Sequence, residues 1–399
     1  MTGSNQALLR LLRWLGPWTA DHESPSGIRA EREILRQGRM PGIRGFRAGE
    51  LARPAAWRGP QPETQLELVR YYPKESPVGH FIVVQGLHYQ GPDDPRLDRF
   101  CRVLAGAGLM VHAPMLPSYL DLLLSPTVSD DLELTTRFVC DSLPRGIKPS
   151  LFSISFGSAP ALEVAARLPE SIDAVVTFGG YADLDAALRF CLDGRMEHQG
   201  ESMELSRDPL NAPVLFLNLL PFLELEGDTR GLERALREAA YRTWGRPELK
   251  ALHARAQLLY DLSERVPKGQ RELFRLATGL RGALDGLSAR AWLDHGLERG
   301  RAELDFARPG AALERAQRPC VVLHGRQDDV IPWGEALKLQ QALARRVTTR
   351  LFLTGLFAHT NAERPGLGEL RQELRALLGM ASALSRAGRI DAWLESTPG

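Results

Sequence analysis

The spacing of apolar positions changes several times along this chain, and each change marks an element. Leu66, Leu68 and Val69 open a strand-like run that ends at Tyr72-Pro73. His80-Phe-Ile-Val-Val-Gln-Gly86 is almost unbroken apolar sequence stopped by glycine, as suits a strand covered on both faces. Asp94 to Ala107 then predicts a helix. Asp94 can cap it, Pro95 suits its first turn, and Leu97, Phe100, Val103 and Leu104 share one face. Strands are expected at Leu109–Ala113, Ser150–Ser155 and Ile172–Phe178, with helices at Asp130–Ser142 and Gly157–Leu168 between them. Strand and helix in alternation argue for a mostly parallel sheet with helices on both faces, an α/β architecture.

The alternation stops near residue 184 and resumes near 316. The strands Cys320–His324 and Thr348–Leu353 and the helices Gly334–Ala344 and Gly368–Leu378 follow. The interrupting stretch of about 130 residues is rich in Leu, Arg, Glu and Ala and too long for a bare loop, so an inserted helical unit is expected. Residues 1–62 offer no clear strand. Arg29, Arg32, Arg36, Arg39, Arg44, Arg47, Arg53 and Arg58 outnumber the acids there, which reads as an extension with a solvated surface. At the start, Leu8, Leu9, Leu11, Leu12 and Leu15 recur with Trp14 and Trp18, interrupted by Arg10 and Arg13. That is an amphipathic helix rather than a secretory leader. Docking on the protein's own body is the plain expectation, and contact with a membrane surface is the alternative.

Composition narrows the picture only a little. The 399 residues carry 50 basic and 49 acidic side chains, a net charge of +1, which gives no footing for nucleic acid. Cys101, Cys140, Cys191 and Cys320 lie far apart and form no metal-binding or disulfide pattern, so they read as buried thiols of a reducing, cytoplasmic compartment. No run of about 18 apolar residues exists to span a membrane.

The candidate chemistry sits at strand ends. Ser153-Ile-Ser155-Phe-Gly157 falls where a strand must turn sharply into a helix, with small residues two positions either side of Ser155. A helix-capping serine would be the plain reading. Val321-Val-Leu-His324-Gly325-Arg-Gln-Asp328-Asp329-Val-Ile-Pro332 ends a later strand with two carboxylates. His359 follows the last expected strand by a few residues. Gln85-Gly86-Leu87-His88 closes the apolar strand, and His88 could touch substrate or simply be packed.

Over residues 65–183 and 316–380, these features resemble the α/β-hydrolase superfamily, in which the nucleophile, acid and base follow one another in the order Ser, Asp, His. The resemblance implies a nucleophile elbow at Ser155, although Ser153 stands where glycine is usual. By the family pattern HG-x-x-D-x-x-(V/I)-P the acid is Asp328, with Asp329 as the alternative if the register slips and Asp183 as a second possibility. His359 is the implied base. Backbone N–H groups of Leu87 and Phe156 are the implied oxyanion hole, with Gln85 where many members have His. The implied architecture is an N-terminal extension (1–62), an α/β-hydrolase core (63–183 and 316–399) and a helical cap (184–315). The implied activity is that of a carboxylesterase or lipase-like serine hydrolase needing no metal or organic cofactor. Its substrate would be a small-molecule ester with an apolar acyl group, because Met115–Leu124 and Ala212–Leu223 are apolar. An acyltransferase on the same fold and a non-catalytic binding protein are the competing readings, and the sequence leaves the oligomeric state open.

Overall fold

The computed structural model describes residues 3–15, 22–35, 66–355 and 367–396. Among them, eight strands form one sheet: β1 Arg29–Leu35, β2 Leu66–Tyr72, β3 Gly79–Val84, β4 Leu109–Met115, β5 Ser150–Ile154, β6 Val175–Phe178, β7 Cys320–Gly325 and β8 Thr349–Thr354. Their spatial order is β1-β2-β4-β3-β5-β6-β7-β8. β2 runs against both of its neighbours, and every pairing from β4 to β8 is parallel.

The unbroken apolar runs are explained by burial on both faces. All six residues of β3 are buried. Ile82 and Val84 join one core with Leu151, Val175 and Val322, while Phe81 and Val83 join the other with Phe152, Val176 and Val321. Helices Thr127–Ser142, Ser158–Arg167 and Trp333–Leu343 cover the first face. Helix Pro95–Gly106 and the helix Leu367–Leu384 cover the second. Asp94 caps Pro95–Gly106 as expected, accepting from Arg96 N–H at 2.8 Å.

One expectation fails before residue 65. The extension contributes the edge strand β1, antiparallel to β2. Its sequence Arg-Ala-Glu-Arg-Glu-Ile-Leu is charged and largely exposed, so no period-two apolar signal could announce it. Charges on an edge strand also discourage further pairing. Arg32 bonds Glu67 on β2 at 3.0 Å and Asp93 at 2.5 Å, and Arg29 stacks on Tyr72. Arg36, Arg39, Arg44, Arg47, Arg53 and Arg58 lie outside the described residues. The first helix, Gly3–Trp14, packs on the body by Ala7 and Leu11 and leaves Leu9 exposed. No helix among the described residues is long and apolar enough to cross a membrane. All four cysteines are free.

Residues between β6 and β7 are mainly helical, with helices Leu184–Asp193, Ala212–Leu219, Arg230–Thr243, Leu252–Ser263, Arg271–Ala277 and Ala289–Arg299. Two short hairpins within this stretch, Arg195–His198 with Glu201–Glu204 and Ala283–Leu284 with Leu287–Ser288, carry too few residues to be legible in the sequence. The segment shares one continuous apolar core with the first sheet face. Several of its polar contacts fall on the loops that follow β4, β6 and β7. Asn218 Nδ2 donates to Leu122 O at 2.9 Å and its Oδ1 accepts from Leu124 N–H at 2.7 Å. Tyr181 Oη donates to Ala307 O at 2.8 Å, and Asp208 N–H donates to Asp329 O at 2.7 Å. The segment is thus tied to the carboxyl ends of the strands.

Candidate active site

β5 ends at Ile154, and the chain turns at once through a tight turn at Ser155–Gly157 into the helix Ser158–Arg167. Ser155 has φ +52°, in the left-handed region that a side-chain-bearing residue enters only at a cost of about 1–2 kcal/mol. The surroundings enforce it. A Cβ on Gly157 would lie 2.4 Å from Gln85 O and 2.9 Å from Val84 O, so only glycine lets the turn lie against the end of β3. Ser153 fits the other small position, fully buried with its Oγ 3.4 Å from Val176 O. Ser155 itself is half-buried. A strained, partly accessible serine at the end of the middle parallel strand, in a sheet of this strand order, decides the fold.

The chain has the α/β-hydrolase fold.

In this fold the loop after β3 presses on the elbow. A Cβ on Gly86 would lie 3.3 Å from Ser155 Cβ, so Leu87 follows directly beside Ser155. The first turn of a helix leaves its N–H groups without intrahelical acceptors, and Phe156 N–H belongs to that turn. Tyr119 Oη donates to Phe156 O at 2.9 Å, and the Phe156 ring packs on Tyr181, which fixes the peptide on the far side of Ser155. Gln85 stands fully buried behind this loop.

His88 is packed, not presented. Its Nδ1 accepts from Gln90 N–H at 3.2 Å, and its Nε2 lies 3.4 Å from Asp94 Oδ2. The ring is stacked against Tyr89 and against Trp244 of the helical segment. Burial pushes it down to about 4, against the smaller opposing pull of Asp94. A neutral ring with both nitrogens engaged has no vacancy for substrate. Trp244 and Tyr241, which meets Tyr89 edge-on, are contacts that sequence reasoning missed, because nothing local ties them to residues 88 and 89.

The turn after β7 holds the carboxylates. Asp328 Oδ1 accepts from Val330 N–H and Ile331 N–H, each at 2.9 Å. Its Oδ2 lies 3.7 Å from His324 Nε2 and faces Gly179, whose φ of +62° follows the end of β6. His324 is fully buried and bonds Ile331 O at 2.9 Å through Nε2. A carbonyl only accepts, so Nε2 carries the proton. Burial raises Asp328, and His324 with the two backbone amides opposes the rise. Asp329 turns away and pairs with Lys250 Nζ at 2.6 Å. Asp183 caps the helix Leu184–Asp193 through Ala186 N–H, while its own N–H donates to buried Glu335. Asp328 Oδ2, facing Gly179 at the end of β6, is directed back toward the strand ends.

His359 lies outside the described residues. The strand leading to it ends firmly. Glu373 accepts from Thr354 Oγ1 at 2.9 Å and from Gly355 N–H at 2.7 Å.

No family model matches the chain, and no curated protein is similar to it in sequence. Among solved structures it is similar to brefeldin A esterase, a bacterial homologue of human hormone sensitive lipase, at 13% identity over 96% of this chain and 86% of that one, with a TM-score of 0.45. It is also similar to the esterase domain of a Rhodothermus marinus protein, at 13% identity over 90% of this chain and 99% of that one, TM-score 0.42. A candidate dipeptidyl aminopeptidase IV from Bacteroides ovatus is matched at 11% identity over 90% of this chain, TM-score 0.43, and the chain spans only 36% of its length. Such distant likenesses leave the fold resting on the strand order and the elbow.

Proposed function

We propose that the protein is a serine hydrolase that cleaves a carboxylic ester, with Ser155 as nucleophile, His359 as general base and Asp328 as the acid that orients it. The observation that carries this reading is the backbone of Ser155. A left-handed serine held between two glycine contacts has no structural purpose that an ordinary helix cap would not serve at lower cost.

In the proposed reaction His359 takes the hydroxyl proton of Ser155 as the oxygen attacks the ester carbonyl. The oxyanion accepts from the N–H groups of Leu87 and Phe156. His359 then gives its proton to the departing alcohol. Water, activated by the same imidazole, releases the acid and regenerates the serine. Asp328 stabilises the imidazolium that forms in each half. This chemistry calls for no metal or organic cofactor.

The proposed organisation is the one expected from sequence: extension 1–62, core 63–183 with 316–399, and residues 184–315 as a cap over the strand ends. The contacts of Asn218, Ala307 and Asp208 with the loops after β4, β6 and β7 support it. Those contacts also join the apolar segment after β4 to the wholly buried helix Ala212–Leu219, which favours a substrate with an apolar acyl chain. Free thiols at all four cysteines suit a cytoplasmic setting.

A fluorophosphonate probe, followed by mapping of the adduct, tests the assignment. The expected adduct is on Ser155 in the wild type and missing in Ser155→Ala, with loss of hydrolysis of simple aryl esters. An adduct on another serine, or undiminished hydrolysis by Ser155→Ala, would overturn it. Phe216→Ala and Leu223→Ala, compared on short- and long-chain esters, test the acyl pocket separately. An unchanged preference in folded, active variants returns both residues to a packing role.

A further inference from the structure

The turn that carries Asp328 is completed by a residue that lies far earlier in the chain. Lys250 Nζ lies 2.6 Å from Asp329 Oδ2 and 3.1 Å from Asp208 Oδ2. The same two acids are joined through the backbone by the Asp208 N–H bond to Asp329 O. Asp208 Oδ1 in turn accepts from Leu210 N–H at 2.9 Å and starts the turn that leads into Ala212–Leu219. Lys250 is itself anchored, since its carbonyl accepts from buried Arg255 at 2.5 Å. All three side chains of the bridge are mostly covered, with 32%, 20% and 18% exposed for Lys250, Asp208 and Asp329.

We propose that Lys250 is a positioning residue for the reaction: by neutralising Asp329 and Asp208 it fixes the helical segment on the acid turn and leaves Asp328 to act without an uncompensated carboxylate beside it. This rests on the reading of Asp328 as the triad acid. One ammonium serving two half-buried carboxylates differs from an exposed surface pair, which contributes little. Its removal strands two negative charges next to a third. The charged and titratable groups acting on Asp328 are His324 on its own strand and Asp329 in its own turn, with Cys191 from the helix Leu184–Asp193 nearby; beyond Asp329 stand Lys250 and Asp208 of the helical segment. Of these, Lys250 is the cation in direct contact with the neighbouring carboxylate. Without it, Asp329 makes ionisation of Asp328 harder, and the acid's proton is released only at higher pH.

The test is ester hydrolysis across pH by the full-length protein with an aryl acetate, alongside Ser155→Ala. Lys250→Met is expected to lower kcat about tenfold with KM nearly unchanged and to move the acidic limb of the kcat profile to higher pH. Lys250→Arg keeps most of the rate. Adding Asp329→Asn to Lys250→Met brings the limb back, and Asp329→Asn alone leaves it at or below its wild-type position. A Lys250→Met enzyme with the wild-type profile overturns the inference. So does a loss of rate with no movement of the limb, which would mark Lys250 as structural only. If Lys250→Met does not fold, the Asp329→Asn profile decides: a limb moved to higher pH overturns the inference. Full hydrolysis by Ser155→Ala would instead overturn the nucleophile assignment, and this inference with it.

Discussion

The elbow at Ser155 and the turn at Asp328 close two strands of one sheet, yet different forces hold them. The elbow is held by exclusion. Gly157 and Gly86 let the elbow lie against the end of β3, where an added Cβ would come within 2.4 Å of Gln85 O and within 3.2 Å of Ile154 O. The acid turn is held by attraction: two amides and His324 around Asp328, and the Lys250 bridge around Asp329. Packing fixes a position at short range and does not depend on pH or salt. Charge acts over longer range, tolerates small displacements and responds to both. Ser155 thus sits in a rigid frame, while Asp328 sits in a frame whose strength depends on the helical segment staying docked.

Substitutions can separate the two frames. The largest effect is expected from Ser155→Ala, which should cost on the order of a million-fold in turnover. It should also relieve none of the elbow's packing, so unfolding in urea should match the wild type. Asp328→Asn should cost on the order of ten-thousand-fold in kcat, by analogy with triad acids elsewhere. Its amide oxygen can still accept from Val330 and Ile331, so stability should hardly move. If instead Asp329→Asn gives that large loss and Asp328→Asn does not, the acid has been misassigned.

Gly157→Ala addresses the excluded-volume half. Its Cβ would meet Gln85 O at 2.4 Å, and the loss should be roughly 2–3 kcal/mol of stability, with activity lost alongside. A stable, active Gly157→Ala protein would mean that the elbow is looser than described.

Acid should weaken the packed side of the molecule first. His80 and His112 meet at 3.4 Å within the sheet, and burial lowers both, His112 further by its neighbours His80 and Arg70. His88 beside the elbow is lowered to about 4. Each is neutral in the folded protein and takes a proton more readily when unfolded. Their contribution is therefore present above the unfolded value of about 6.5 and lost as pH falls toward the folded values. Each tenfold difference in proton affinity between the two states is worth about 1.4 kcal/mol. Urea unfolding at pH 7 and pH 5 should show the loss, and His88→Gln should reduce it. The smallest effect is expected for Ser153→Gly. It restores the usual residue, gives up one long bond to Val176 O, and should change stability by no more than about 1 kcal/mol.

Much of this architecture is legible in the order of residues. The continuous runs at β3, β5 and β7 announce strands buried on both faces, because burial leaves no room for polar alternation. Asp94 and Pro95 announce a helix start. Ser155 stands out because a strand, a small residue, a serine and a glycine in that order force a sharp turn. Asp328 is singled out from Asp329 by its spacing from His324-Gly325, and in the fold the two side chains take different partners. β1 is not legible, since an exposed edge strand of Arg and Glu carries no apolar period. His88 stays open between substrate contact and packing, and only its stacking on Trp244 decides for packing.

The amino-acid order therefore determined what depends on neighbours along the chain: periodicity, caps, the glycine-bounded elbow and the succession of reactive residue types. Only the fold decided what depends on neighbours across space. It brought Lys250 and Asp208 to Asp329, Asn218 to Leu124, Trp244 to His88 and Gly179 to Asp328. The physical reason is range. Backbone propensity and steric exclusion are set within a few residues, whereas a salt bridge or an aromatic stack needs only proximity in space, and no local pattern records which distant residue will arrive.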